Sequence, residues 1–445
     1  MLQTFIKCWK VPEIRRRILF TLLVLALCRL AANIPCPGIQ TDQLDRLFDM
    51  LKSRSGSNEV GIMLDLFTGG ALQKFAIAGL GIMPYITASI VISLLTPLVP
   101  QLEKWRREGE TGYQKITQLT RYLTVFICIF QGTMFATAMA NPGRLFSGVG
   151  ANLNIVSPAI PSQSWFIVQS VIVLLCGTML LMWFGELITE KGIGQGASLI
   201  ITIGIVARIP TAIGMVVQQL QQAGEGSSQE MGIVHVIILL AFFVLVTAAV
   251  VAITVAERRI PIQYARSRAG RGGMQLGQQG SFLPLRLNYA NVMPIIFAST
   301  LLMIPGLILP RLSVWANQHQ WTGVSTVVNY LAGLLSRGTI SYMVIYAVLI
   351  IFFCFFWVST QFNPVKIADE LKRAGAYVPG YQPGQETADL LFTTMNRITW
   401  AGSVALTVIA LLPMIIMNAL RIPYLIAGFF GGTSLLIMVG VLLDT

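Results

Sequence analysis

The chain has 445 residues, of which 55% are hydrophobic and 11% charged, with a formal net charge of +12 at pH 7. Soluble domains carry about 25% charged residues, so this composition excludes an ordinary soluble domain, which would need an improbably dry core to bury it. The six cysteines, Cys8, Cys28, Cys36, Cys128, Cys176 and Cys354, show neither C-x-x-C nor regular spacing. They read as small hydrophobes and not as a disulfide framework or a metal site.

At about 20 residues per crossing, the chain offers apolar runs near 18–34, 74–98, 117–139, 164–189, 196–218, 232–256, 289–310, 338–358, 394–417 and 424–442. The opening MLQTFIKCWKVPEIRRRILF places basic residues before an apolar stretch, as a signal peptide does. No small-x-small cleavage site follows, so it is expected to be a retained first span. Residues 62–71 are apolar but too short to cross. They form either a surface helix or a re-entrant half-helix, the latter needing protein or water around its backbone ends.

Ten spans fix an orientation. With residues 1–17 inside, the inner loops 1–17, 99–116, 190–195, 257–288 and 359–393 carry 19 Lys and Arg, and the outer loops carry 7. Both termini are then expected to be cytoplasmic, and anionic lipid accounts for much of the positive charge. Two inner loops exceed the length of simple tethers. In 257–288, ERRIPIQY followed by a Gly-rich basic tip predicts a hairpin. In 359–393, Asn363 is placed to cap a short helix with Pro364 at its first position and Gly375 just beyond its end. Both loops are expected to dock a large soluble partner.

Catalytic chemistry is missing. The two histidines, His235 and His319, are far apart, and no H-E-x-x-H, G-x-S-x-G or Walker motif occurs. GIGQG, from Gly192 to Gly196, lacks a preceding strand and joins two spans, which argues against a dinucleotide loop. No cofactor and no enzymatic activity are expected. Arg29, late in the first span, is expected to snorkel to the outer interface. No Asp, Glu or His at mid-span supports a proton relay, although a sodium-coupled secondary transporter using backbone carbonyls stays open as an alternative.

Specific strings carry further. NIPCPGI follows span one, then LFTGGAL and GLGIMPYITASIVISLL in span two, TRY and IFQ in span three, and ITEKGIGQGASLII between spans four and five. ERRIPIQYA, PLRLNYANVMPIIFAS, FNPVKIADELKRAGAYVPG and FGGTSLLIMV complete the order. Together they resemble the SecY family of protein-conducting channels along essentially the whole length. The resemblance implies an all-α polytopic membrane protein with ten transmembrane helices in two pseudo-symmetric halves of five, 18–218 and 219–445, around an hourglass pore. It implies passage of unfolded signal-bearing polypeptides and lateral release of apolar segments into lipid. The partners it implies are SecE-like and SecG-like small subunits, a SecA motor ATPase, a ribosome and anionic lipids, in a bacterial inner membrane.

Motif matching then gives residues roles. A pore ring would comprise Ile82, Ile86, Ala197, Ile201, Ile296 and Ile437, with Ala197 smaller than the bulky residue the family usually has there. β-Branched Ile is stiff and wholly apolar, suited to gasket a chain and dewet an empty pore. The short piece 62–71 would be a plug, with Ile62, Leu64, Asp65 and Phe67 in its body and Gly69 and Gly70 as its hinge. Thr87, Gln131 and Asn288 match a polar cluster at a lateral gate between spans two and three on one side and seven and eight on the other. Docking contacts would be Arg259, Arg266 and Arg268 in the first loop and Lys372, Arg373, Tyr381, Gln382, Pro383 and Gly384 in the second. Gln382 stands where the family usually has Arg.

Overall fold

The computed structural model describes residues 11–53, 68–140, 155–158, 160–223, 233–264, 281–319, 321–336, 339–420 and 432–444. Helix α1 (Pro12–Ala31) begins with Pro, whose missing N–H costs nothing in a first turn, and has Glu13 there. Helix α2 (Thr41–Ser53) lies in what the sequence presents as a loop, and Leu44 and Leu47 anchor it under Phe75 and Phe166. The second predicted span is helical only over α3 (Met83–Leu95), and it turns by 98° into α4 (Pro100–Arg107). Pro100 accounts for the extended residue at the break, because it disfavours helical backbone in the residue before it and Val99 is extended (φ −102°, ψ 113°).

Helices α5 (Glu110–Ala140), α6 (Gln163–Lys191), α7 (Gly196–Val206) and α8 (Ile209–Ala223) follow. Ser162 starts α6 by accepting a hydrogen bond from the Trp165 N–H at 3.2 Å. Between α6 and α7 the GIGQG stretch is a tight turn. The Ile193 N–H donates to Thr21 Oγ1 at 3.2 Å and the Gly196 N–H to Thr189 Oγ1 at 3.0 Å, so these donors serve the fold and not a phosphate. A Cβ on Gly196 would come within 2.0 Å of the Gly185 carbonyl oxygen, which is why α7 can start flush against α6.

The second half comprises α9 (Ile233–Val255), α10 (Met293–Gln318), α11 (Thr322–Leu334), α12 (Ile340–Gln361), α13 (Pro364–Arg373), α14 (Gln385–Leu420) and α15 (Gly432–Asp444). Among the described residues, six helices are long and apolar enough to cross a membrane, or seven if α3 and α4 form one bent span. Packing is dense within each half, as in α5 on α6 and α12 on α14. Between halves the contacts concentrate along two seams, α7 with α15 and α3 with α10.

The predicted hairpin is present as β1 (Glu257–Tyr264) and β2 (Ser281–Arg286), antiparallel, with Glu257 opposite Arg286. A third strand was not legible in the sequence: β3 (Ala376–Tyr377) pairs with the other edge of β1, giving the order β2-β1-β3. The two long basic loops therefore make one platform, with Ile260, Leu285, Phe362, Val378 and Leu391 buried beneath it. Asn363 caps α13 as expected, accepting from the Lys366 N–H at 3.1 Å, and Gly375 takes the left-handed conformation (φ +67°) past its end. Asn363→Ala should destabilise this helix by about 1 kcal/mol, seen as faster amide exchange confined to α13.

Candidate pore and gate

Four of the helices that form the two seams carry the predicted ring. Ile82 is the N-cap residue of α3 and Ile86 lies one turn on; Ala197 and Ile201 are on α7, Ile296 on α10 and Ile437 on α15. All five isoleucines are buried in one apolar core that includes both halves, with Ala197 packed against it. Ile82, Ile86, Ala197, Ile201 and Ile296 also border a single cavity of about 520 Å³. Its remaining walls are mixed, with Ser89, Gln118 and Ser198 among the polar groups. Arg121 and Glu186, also on the wall, form a two-pronged ion pair at 3.1 and 2.7 Å between α5 and α6. The cavity thus has a wettable wall and a dry apolar border, contributed from both halves.

Of the residues expected in a plug, Ile62, Leu64, Asp65 and Phe67 lie outside the described residues, whereas Gly69 and Gly70 lie within them. Both glycines adopt positive φ, +65° and +96°. The chain after them is sewn to the loop after α1 by Cys36 N–H to Phe75 O and Ile77 N–H to Ile34 O, each 2.9 Å. Arg29 does not snorkel outward: it is half-buried and its Nη2 donates to the Gly69 carbonyl at 2.8 Å. A backbone acceptor inside the bundle competes successfully with the interface for this guanidinium. Sequence reading missed Arg208, which is only 8% exposed and packs against Gly70. A single Arg in the apolar run 196–218 was the available signal.

Of the residues expected at a gate, Thr87 is buried on α3 and donates to its own helix at Met83 O, 3.0 Å; buried Asn288 donates to Asn291 O, 3.1 Å. Gln131 is half-buried on α5. No hydrogen bond joins the three among the described residues, since local backbone acceptors take the Thr87 and Asn288 donors. On the platform, Arg266 and Arg268 lie outside the described residues. Arg259 is exposed, pairs with Glu257 at 2.7 Å and stands over the Phe282 ring at 4.7 Å. Lys372 and Arg373 end α13 exposed, beside the exposed Tyr381, Gln382 and Pro383. That turn is held by Gln382, whose N–H donates to Glu386 Oε2 at 3.0 Å and whose carbonyl accepts from Thr387 Oγ1 at 2.8 Å. Gly384 provides its left-handed bend at φ +115°.

A bundle of membrane-length apolar helices, with buried isoleucines bordering a partly polar cavity, defines a polytopic membrane protein. The fold is that of the solved structure described as a protein-conducting channel, with a TM-score of 0.60 at 17% identity, covering 96% of this chain and 90% of that one. Sec61 in the canine ribosome–channel complex from the endoplasmic reticulum is similar, with a TM-score of 0.58 at 16% identity and the same coverage. Among curated relatives, the protein translocase subunit SecY of Chlamydia trachomatis is 40% identical, covering 99% of this chain and 94% of the relative. The same subunit of Streptomyces scabiei is 39% identical over 100% of this chain and 96% of the relative. The SecY family model matches residues 76–445. The chain belongs to the SecY family.

Proposed function

We propose that this chain is the central channel subunit of a protein translocase, conducting unfolded signal-bearing polypeptides across the membrane and releasing apolar segments sideways into lipid. The observation that carries the reading is the meeting of ring side chains from both halves at the border of one cavity. Ile82, Ile86, Ala197, Ile201, Ile296 and Ile437 act as the ring. Stiff apolar side chains yield to a passing polypeptide yet leave an empty pore too dry for ions. The segment 62–71 acts as the plug, returning through Gly69 and Gly70. The seam between α3 and α10 acts as the lateral gate, with Thr87, Gln131 and Asn288 near it. Membrane-buried polar bonds are worth about 1 kcal/mol or less, so a gate of this kind can be opened by the burial of an apolar signal helix.

The platform docks the source of the chain. Its paired loops, with Arg259, Lys372, Arg373 and the Tyr381–Gly384 turn, suit a ribosome or a SecA-type motor, because exposed guanidinium groups bind phosphates and carboxylates strongly. Support for the ribosome comes from the Sec61 relative, whose described complex contains one. SecE-like and SecG-like subunits complete the assembly, in a bacterial inner membrane with both termini cytoplasmic and anionic lipid against the basic loops.

Protease protection of a labelled precursor in proteoliposomes, with a SecE-type subunit, SecA and ATP, tests the reading. Signal- and ATP-dependent protection is expected, and its absence with folded protein would overturn motor-driven translocation. In the same assay Lys372→Glu with Arg373→Glu should reduce partner binding roughly tenfold, about 1.4 kcal/mol. The loss should be smaller at high salt, where surface charge is screened.

A further inference from the structure

The gate seam between α3 and α10 carries a connection at its basic-loop end that neither the pore nor the plug explains. Helix α4 leaves α3 at 98°. From its last turn Arg106 Nη2 donates to the Thr360 carbonyl oxygen at 3.0 Å. Arg106 belongs to the first half and Thr360 to the end of α12 in the second, 254 residues away. Its neighbours are engaged locally: Arg107 pairs with Glu103 one turn back and Lys115 with Glu108. Arg106 therefore reaches the second half where Arg107 and Lys115 stay within their own stretch.

The acceptor is chemically apt. The last carbonyls of a helix lack intrahelical partners and carry the negative end of its dipole, so a guanidinium there is favoured twice. Thr360 also sits at an elbow. Two residues on, Phe362 packs edge-on against Tyr289 at 5.8 Å, and Asn363 then starts α13 of the platform. Parting α3 from α10 while α4 moves with α3 requires this bond to break.

We propose that Arg106 is a latch across the inner mouth of the gate and a specificity-determining residue: it sets the threshold that an apolar signal must exceed to part the halves. The proposal rests on the gate reading given above. Being exposed and single, the bond adds a modest increment, enough to reject weak signals without blocking strong ones.

The test is translocation by the reconstituted complex of two precursors, one with an intact signal and one with its apolar core shortened. Arg106→Ala is expected to raise the rate for the defective precursor several-fold with little change for the intact one. Arg106→Lys, which keeps a donor and a charge, should recover most of the discrimination. Arg107→Ala, which removes the same charge one residue away, should behave as the wild type. An Arg106→Ala protein as selective as the wild type, or an equal loss of selectivity in Arg107→Ala, would overturn the latch. The gate reading is checked separately in a cysteine-free background by crosslinking Ser89→Cys to Phe297→Cys. Blocked insertion of an apolar segment with unchanged Arg106→Ala selectivity refutes the latch alone, whereas unimpeded insertion refutes the gate and the latch with it.

Discussion

Replacing Ile437 by Asn should convert a sealed resting channel into a leaking one and let it accept precursors with defective signals. Ile437 is 2% exposed, on α15 where that helix meets α7, in the core it shares with Ile82, Ile86, Ile201 and Ile296. An amide there has no apolar partner to replace the lost contacts, and burying it unpaired costs about 1–3 kcal/mol. The closed state bears this cost and a wetted open state does not. A differential of that size shifts the closed-to-open balance by roughly 5- to 150-fold. Polar surface at the constriction also removes the dewetting that excludes ions. Ile82→Asn, at 4% exposure on the opposite seam, should act in the same direction. Single-channel conductance of the resting complex reads the leak, and unchanged conductance in both variants would show that the ring lies elsewhere.

The sequence made some parts of this molecule plain because the signal was local. Asn363, Pro364 and Gly375 carry the start and stop of α13 within a dozen residues, and ERRIPIQY announces a strand by its own pattern. The apolar ring needed the family resemblance, since an isolated Ile in a membrane helix is most simply read as packing. What stayed illegible depends on distant partners. Nothing near Ala376 and Tyr377 says that they pair with Tyr264 and Gln263 more than 110 residues earlier. Likewise the run holding Arg29 suggests an interfacial Arg, because only folding brings the Gly69 carbonyl to it. Thr87 shows the converse case. The family resemblance puts it in a polar cluster that can bond across helices, yet the acceptor four residues back in its own helix takes the donor.

Gly69→Ala should damage the resting seal more than Gly70→Ala, although both glycines hold positive φ. An alanine in left-handed backbone costs about 1–2 kcal/mol at either position. The surroundings then separate them. At Gly69 a new Cβ would stand 2.4 Å from Arg29 Nη1 and 2.7 Å from the Gly204 carbonyl oxygen, and α7 backbone cannot move aside cheaply. At Gly70 the nearest atoms belong to the Arg208 side chain at 3.1 Å, which can give by a few tenths of an ångström. The first substitution therefore pushes the returning chain off α7 and breaks the 2.8 Å bond from Arg29, whereas the second strains it in place. Resting ion conductance should rise markedly for Gly69→Ala and slightly for Gly70→Ala. Adding Arg29→Ala to Gly69→Ala removes the nearer clash but leaves Gly204, so the double variant should stay as leaky as the single one. Full recovery of the seal in that double variant would instead place the conflict on the arginine and free α7 from any part in holding the Gly69–Gly70 segment.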